Sequence, residues 1–119
     1  MTAVPVSVLA TLIVLLFAAL GAMKVAAVPA MVERAQHVGF TATSYRYIGL
    51  LELAGAAGIA LGVVIPWLGV VAAVGLLLLL AGALVAHRRS GDRGRDVAPA
   101  VVAGVAVLGY LILQLARVW

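Results

Sequence analysis

The sequence predicts an all-α integral membrane protein, a four-helix bundle with a short interfacial helix between the first and second spans. Hydrophobic residues make up 66% of the chain and charged residues 10%, whereas soluble proteins have about 45–50% and about 25%. The apolar residues fall into four runs, each of about 20 residues, which is the length of a membrane-spanning helix. Seven of the eight lysines and arginines lie in, or next to, two of the connections between these runs.

The four runs leave little sequence for anything else, so we expect residues 1–119 to form a single transmembrane domain. The spans are predicted at about residues 6–28, 45–65, 67–86 and 99–118. The first run is too long for the apolar core of a signal peptide and lacks a preceding basic segment, so we interpret it as a retained span. Pro66 and Trp67 leave almost no loop, which predicts a tight hairpin of spans two and three.

The connection after span one has a helical pattern of its own. Apolar residues recur at helical spacing from Pro29 onward, and polar residues take the opposite side. The apolar positions are Met31, Val32, Ala35 and Val38. This pattern predicts a short helix on the membrane surface, with Gly39 as its stop. The candidate N-caps of span two are Thr41, Thr43 and Ser44.

The basic residues also predict the orientation. The positive-inside rule places the connections between spans one and two and between spans three and four in the cytoplasm, and both termini outside. Residues 87–99 are predicted to be a polar loop that sets this topology or, alternatively, contacts anionic lipid. Arg117 and Trp119 would anchor the end of span four at the opposite interface.

The composition excludes several kinds of chemistry. The chain has no cysteine, which removes thiolate catalysis, disulfides and cysteine-held metal clusters. The net charge of +4 is explained by topology, so no nucleic acid partner is expected. His37 lies in a connection and is not expected to face His87, which argues against haem. The acidic residues show no metal-ligand spacing, and we predict neither a catalytic residue nor a metal site.

Glu52 is the one carboxylate inside a predicted span. Such a group costs at least about 2.5–3.5 kcal/mol in hydrocarbon, so it normally faces a protein interior. Its helix face carries the small residues Gly49, Gly55 and Ala56, which places it inside the bundle. Lys24 lies at a similar depth on span one, and we predict an ion pair between the two. In the alternative, Lys24 reaches the interface alone and Glu52 is protonated or bonded to a hydroxyl or the backbone.

Further polar residues occupy the same cytoplasmic side. The candidate intramembrane polar or ligand-binding residues are Lys24, Tyr45, Arg46, Glu52 and His87. One interpretation is a pocket for a lipid head group or a quinone ring, where His87 and Glu52 handle protons. The other is that Tyr, Arg and His side chains only anchor the helices at the interface. The residues themselves identify no cofactor, and quinone is the class that such a pocket would take.

Pairs of small residues four positions apart occur in every span. They are Ala18 and Ala22, Gly58 and Gly62, Gly69 and Ala73, and Ala100 and Gly104. Helices in lipid associate where small residues let the backbones approach. The pairs therefore predict close packing within the bundle or, alternatively, dimerisation.

Several segments resemble the DoxX-like family of small bacterial four-helix membrane proteins. They are Lys24, Val-Gly-Phe at 38–40, Tyr-Ile-Gly-Leu-Leu-Glu-Leu-Ala-Gly at 47–55, and His-Arg-Arg-Ser-Gly-Asp at 87–92. The resemblance covers nearly the whole chain and implies a multi-pass protein of the bacterial cytoplasmic (inner) membrane. Some relatives are associated with thiosulfate:quinone oxidoreduction or with membrane complexes that handle sulfur and oxidative stress.

The preferred function is a non-catalytic membrane subunit or accessory protein of a larger, quinone-linked redox complex, because a chain without cysteine has no thiol chemistry of its own. One alternative is a quinone- or lipid-binding protein with a pocket around Glu52. Another is a small proton-coupled transporter, for which four spans would need at least a dimer. The expected partners are membrane lipid and either another protein or a second copy of the chain.

Overall fold

The computed structural model describes residues 3–92 and 94–118, and almost all of them are helical. The helices are α1 (Ala3–Val25), α2 (Pro29–His37), α3 (Ala42–Leu61), α4 (Pro66–Arg89) and α5 (Ala98–Val118), with a 3-10 turn at Gly94–Asp96. Arg93, which contributes to the predicted topology, and Trp119, the predicted aromatic anchor, lie outside the described residues. The described part of the chain is therefore all-α, as predicted.

The four long helices pack in a ring. α1 lies along α3, α3 along α4, α4 along α5, and α5 closes the ring against α1. All four contribute side chains to the buried core, in which the largest are Ile13, Phe17, Ile59, Leu76, Val107 and Tyr110. The molecule is elongated, with principal extents of 42 × 28 × 18 Å. The short helix α2 lies outside this core, against α1 and α3.

Within the described ranges, three helices are long and apolar enough to cross a membrane: Val4–Val25, Pro66–Arg89 and Ala98–Val118. α3 has the length, but Arg46, Glu52 and two tyrosines lower its hydropathy. Many outward-facing side chains of the long helices are large and apolar, which suits a surface surrounded by lipid. The chain is a multi-pass membrane protein, and its spanning helices contact lipid.

The connection between α1 and α3 contains the predicted short helix. α2 has nine residues, and its Met31 and Ala35 side chains are buried. Its last helical residue is His37. The chain leaves the helix at Gly39, whose φ of 81° is in the left-handed region, and this confirms the predicted stop. Thr41 caps α3 by accepting a hydrogen bond from the Ser44 backbone N–H at 3.0 Å. The position of α2 at the membrane surface stays a prediction.

α4 extends further than the sequence pattern indicated. The prediction that a loop begins at His87 is wrong, because residues 87–89 form the last turn of α4. Gly91, with a φ of 80°, ends the helix, and the Asp92 N–H returns to the His87 carbonyl at 2.9 Å. This is a Schellman motif, which satisfies carbonyl groups that a helix end leaves without partners. The polar residues 87–89 therefore belong to α4, and the helix stops only where Gly91 allows the chain to turn.

α1 and α3 approach most closely at two glycines. A Cβ atom on Gly49 would lie 2.7 Å from the Gly21 carbonyl oxygen, and one on Gly21 would lie 2.8 Å from the Gly49 carbonyl oxygen. Gly21 was not among the predicted small-residue pairs. Gly104 was among those pairs, but a Cβ there would meet open space. The prediction that Gly104 packs against another helix of the same chain is therefore wrong. Which small residue meets a neighbour depends on the rotation of each helix, and spacing alone does not provide that.

Candidate functional site

Lys24 and Glu52 form the predicted ion pair. Lys24 Nζ donates to Glu52 Oε1 at 2.5 Å, from the last turn of α1 to the middle of α3. The side chains are 13% and 5% exposed, respectively. A charged group is costly to bury unless it has an opposite charge and hydrogen bonds. The pair therefore lets α3 carry a carboxylate on its buried face.

Tyr45 completes this group. The Lys24 ammonium lies 4.9 Å from the centroid of the Tyr45 ring, which is within the range of a cation–π interaction. Gly49, one turn from both Tyr45 and Glu52 on α3, leaves room for the Lys24 stem, because a Cβ there would lie 2.7 Å from Lys24 Cβ. An ammonium, a carboxylate and an aromatic ring thus meet at the end of the molecule where α1 ends and α3 begins.

A second polar cluster lies at the same end. His37 Nε2 contacts both oxygens of Asp92, at 2.8 and 2.9 Å, and His87 Nδ1 contacts Asp92 Oδ2 at 2.7 Å. An ionised carboxylate only accepts hydrogen bonds, so His37 donates through Nε2–H and His87 through Nδ1–H. Asp92 thereby connects the C-terminal turn of α2 to that of α4.

The Schellman motif at Gly91 explains the position of Asp92. It turns the chain back so that Asp92 lies beside His87, five residues earlier. The hydrogen bond from His87, followed by that from His37, lowers the pKa of the Asp92 carboxyl below its usual value. The Asp92 side chain is 10% exposed. Asp92 is therefore a carboxylate that two imidazoles hold in its ionised form.

A third cluster lies at the opposite end of the molecule, where α3 turns into α4. The fully buried Gln114 side chain donates from Nε2 to the carbonyl oxygens of Gly62 at 3.1 Å and Pro66 at 3.0 Å. Arg117 Nη1 donates to Gln114 Oε1 at 3.1 Å. Gln114 thus satisfies backbone carbonyls at the end of α3 and ties α5 to this turn.

The structure separates the predicted site residues. Lys24, Tyr45 and Glu52 come together, whereas His87 binds Asp92 instead of Glu52. Arg46 is exposed. The role of these residues in ligand binding stays a prediction.

Sequence reasoning missed that His37 and His87 approach the same carboxylate. A signal was present: each histidine precedes a glycine that ends its helix, and the second glycine is followed directly by Asp92. Among the residues that the structure describes, no group of three or more His, Asp and Glu is arranged to hold a metal ion.

Two apolar grooves open between helices. One lies between α3 and α4, with a volume of about 480 Å³, and is lined by residues such as Leu51, Gly55, Val71 and Gly75. The other lies between α1 and α5, with a volume of about 640 Å³, and is lined by residues such as Leu12, Phe17, Pro99 and Ala106. Neither groove is lined by the predicted site residues. The described grooves and the polar clusters are therefore separate features.

Comparison with known proteins identifies one family. No curated protein and no solved structure matches the chain. The family model described as the DoxX-like family matches residues 8–109. This range contains the Lys24–Glu52 pair, the His37–Asp92–His87 cluster and α1 to α4 almost entirely. Since the match covers most of the sequence, this chain belongs to the DoxX-like family.

Proposed function

We propose that the chain is a four-span, non-catalytic membrane subunit or accessory protein of a larger complex. In this proposal α3 is the fourth span. It has 20 residues, which at about 1.5 Å per residue cover about 30 Å, the thickness of the hydrocarbon core. It packs along α1 and α4, both of which are apolar enough to span. Its one buried charge, Glu52, is paired with Lys24, which removes the main obstacle to insertion.

One observation carries the non-catalytic role: the buried polar side chains have their hydrogen-bond partners within the chain itself. In the described ranges, every buried side-chain nitrogen or oxygen atom has a hydrogen-bond partner. Catalytic and ligand-binding groups are usually held ready for a substrate, whereas these groups connect helices. Lys24 and Glu52 join α1 to α3, Asp92 joins α4 to α2, and Gln114 joins α5 to the α3–α4 turn.

The outward faces of the helices support a partner within the membrane. On α4, Gly75 and Gly82 have open space where a Cβ would lie. Glycine within a helix costs roughly 0.5–1 kcal/mol relative to alanine, and no close contact within the chain explains these two. A neighbouring helix that approaches this face would explain them. The quinone-linked character of the complex rests only on the family resemblance.

The test is in situ cross-linking followed by purification in mild detergent. We expect a partner in fixed stoichiometry with the chain, and a lower yield of it from Gly75→Leu. Gly104→Leu is the matched control, since Gly104 is equally open but lies on α5. Repeated recovery of the chain alone from cross-linked membranes would contradict the proposal.

The proposed orientation places both termini outside the cytoplasmic membrane. Lys24 and the exposed Arg34, Arg46, Arg88 and Arg89 all lie at the end of the molecule that would face the cytoplasm. A reporter fused to the C-terminus tests this directly. A cytoplasmic signal from that reporter would contradict the proposed orientation and support the opposite one.

A quinone or lipid head group at Lys24, Tyr45 and Glu52 is the second candidate. It is favoured by the partial exposure of the Lys24 and Tyr45 side chains, which places the edge of this polar group at the protein surface. Native mass spectrometry should then show a retained ligand that is lost in Glu52→Ala and reduced in Glu52→Gln. An unchanged ligand load in both variants would dismiss this candidate.

A further inference from the structure

The geometry points to a binding site for an anionic phospholipid, with one acyl chain in the groove between α1 and α5 and the head group at the basic end of α4. This site is separate from the Lys24–Glu52 pair. It does not depend on the accessory role proposed above.

The groove lies beside the first turns of α5, which are less buried than the rest of that helix. The first buried residue of α5 is Ala103, so the helix runs for more than a turn from Ala98 without entering the core. Between α1 and α5 lies an apolar space of about 640 Å³, which is within the usual range of about 300–1,000 Å³ for ligand sites.

The lining of the groove suits a hydrocarbon chain. It is built from apolar residues of both helices, including Leu12, Leu16, Phe17, Val102 and Ala106. In a multi-pass membrane protein the surrounding solvent is lipid, so an acyl chain is the molecule available to fill such a space. An apolar groove alone does not select one lipid over another.

The selectivity comes from the charges at the end of the groove. The groove reaches Ala98 and Pro99, the first residues of α5. α4 packs along α5 and ends with the exposed Arg88 and Arg89, and residues 90–97 connect it to the start of α5. Since packed helices lie about 8–10 Å apart, we infer that the arginine side chains reach the head of the groove. Among the ion pairs of the described residues, none joins Asp92 to Arg88 or Arg89, and both Asp92 oxygens are bound by histidines. A phosphate at the head of the acyl chain would meet this positive charge.

The groove between α3 and α4 provides an internal comparison. It is also apolar, but on α4 it ends at Leu79. Arg89 lies ten residues beyond Leu79 on the same helix, which is about 15 Å. This groove can hold a chain without bringing a head group to the arginines. We therefore expect any preference for an anionic lipid to arise at the α1–α5 groove and not at the α3–α4 groove.

The experiment is native mass spectrometry of the full chain, released from detergent that contains phosphatidylglycerol and phosphatidylcholine with identical acyl chains. We expect retained phosphatidylglycerol, and a roughly thirtyfold smaller preference for it in Arg88→Gln/Arg89→Gln, at about 1 kcal/mol for each of the two basic residues. Arg34→Gln/Arg46→Gln is the matched control: it removes the same charge from exposed positions at the same end and should leave the preference unchanged.

Groove-filling variants test the acyl chain. Ala106→Leu fills the α1–α5 groove and should reduce retention of phosphatidylglycerol, whereas Ala54→Leu in the α3–α4 groove should not. Helix content by circular dichroism shows whether each variant is folded. If Ala106→Leu does not fold, the arginine variants alone test the lipid site. Equal retention of both lipids by the unaltered chain, or an equal effect of the two arginine pairs, would overturn the proposal.

Discussion

Lys24 and Glu52 are 28 residues apart in the chain and are bound to each other at 2.5 Å, from different helices. Each one accounts for the burial of the other. Glu52 could not lie on the buried face of α3 without a cation, and Lys24 is held away from the interface by the carboxylate and the Tyr45 ring. The pair therefore joins the last turn of α1 to the middle of α3.

Removing one partner should be more harmful than removing both. Lys24→Met leaves a buried carboxylate alone, and we expect it to lower the free energy of unfolding by about 3 kcal/mol. Lys24→Met combined with Glu52→Leu should recover most of this loss, because no charge then remains buried. Equilibrium unfolding in mixed micelles measures both values. A double variant less stable than the single one would contradict this account.

The helix approach at Gly49 can be tested with alanine. Gly49→Ala would place a Cβ 2.7 Å from both the Gly21 carbonyl oxygen and Lys24 Cβ, and we expect a loss of about 1–3 kcal/mol from overpacking. Gly75→Ala is the control, since that position is open, and it should gain up to about 1 kcal/mol from helix propensity. The same unfolding measurement applies, and equal effects of the two changes would rule out a specific role for Gly49.

Asp92 should hold the end of α2 in place. Asp92→Ala removes the acceptor of both His37 and His87, and amide hydrogen exchange in the last turn of α2 should become roughly tenfold faster. Exchange in the middle of α5 should not change. Asp96→Ala, at an exposed position in the same connection, is the control. An unaltered exchange rate in α2 would show that packing on α1 and α3 holds its last turn in place without Asp92.

The contribution of Asp92 should depend on acid pH with a definite sign. Its pKa in the folded protein is lower than the usual value of 3.8, so the unfolded chain binds the proton more readily. The stabilisation is therefore present above the usual carboxyl range and disappears as the pH falls through the lowered pKa. Hydrogen exchange of α2 in the unaltered chain and in Asp92→Ala should converge only below pH 3.8. Convergence above that value would contradict the lowered pKa.

Ala27 occupies a position that favours glycine. It ends α1 with a φ of 51°, and its N–H bonds to the Lys24 carbonyl while the Val28 N–H bonds to that of Met23, as in a Schellman motif. The left-handed conformation costs an L-residue about 1–2 kcal/mol, so Ala27→Gly should raise the free energy of unfolding by about 1 kcal/mol. Ala26→Gly, one residue earlier, should not stabilise the protein, and a gain there would indicate a nonspecific effect.

The polar clusters differ in whether their contacts could be predicted from the sequence. Lys24 and Glu52 could be paired because each is conspicuous in an apolar span and their depths can be counted from the helix ends. His37 and Asp92 are 55 residues apart in polar connections, where neither residue is unusual. Their contact depends on the turn at Gly91 and on the direction in which α2 crosses α1 and α3.

The sequence by itself determined that this is a multi-pass all-α membrane protein with polar connections, a short helix that ends at Gly39, and a carboxylate on the buried face of α3. These features follow from composition and from periodicity within single segments, which depend on hydrophobic transfer and local backbone geometry. Only the tertiary structure decided that Gly21 meets Gly49, that Asp92 binds two histidines, that Gln114 satisfies the α3–α4 turn, and that a groove opens between α1 and α5. Those contacts depend on how each helix is rotated and tilted against its neighbours, and that arrangement is set by the packing of all the helices together.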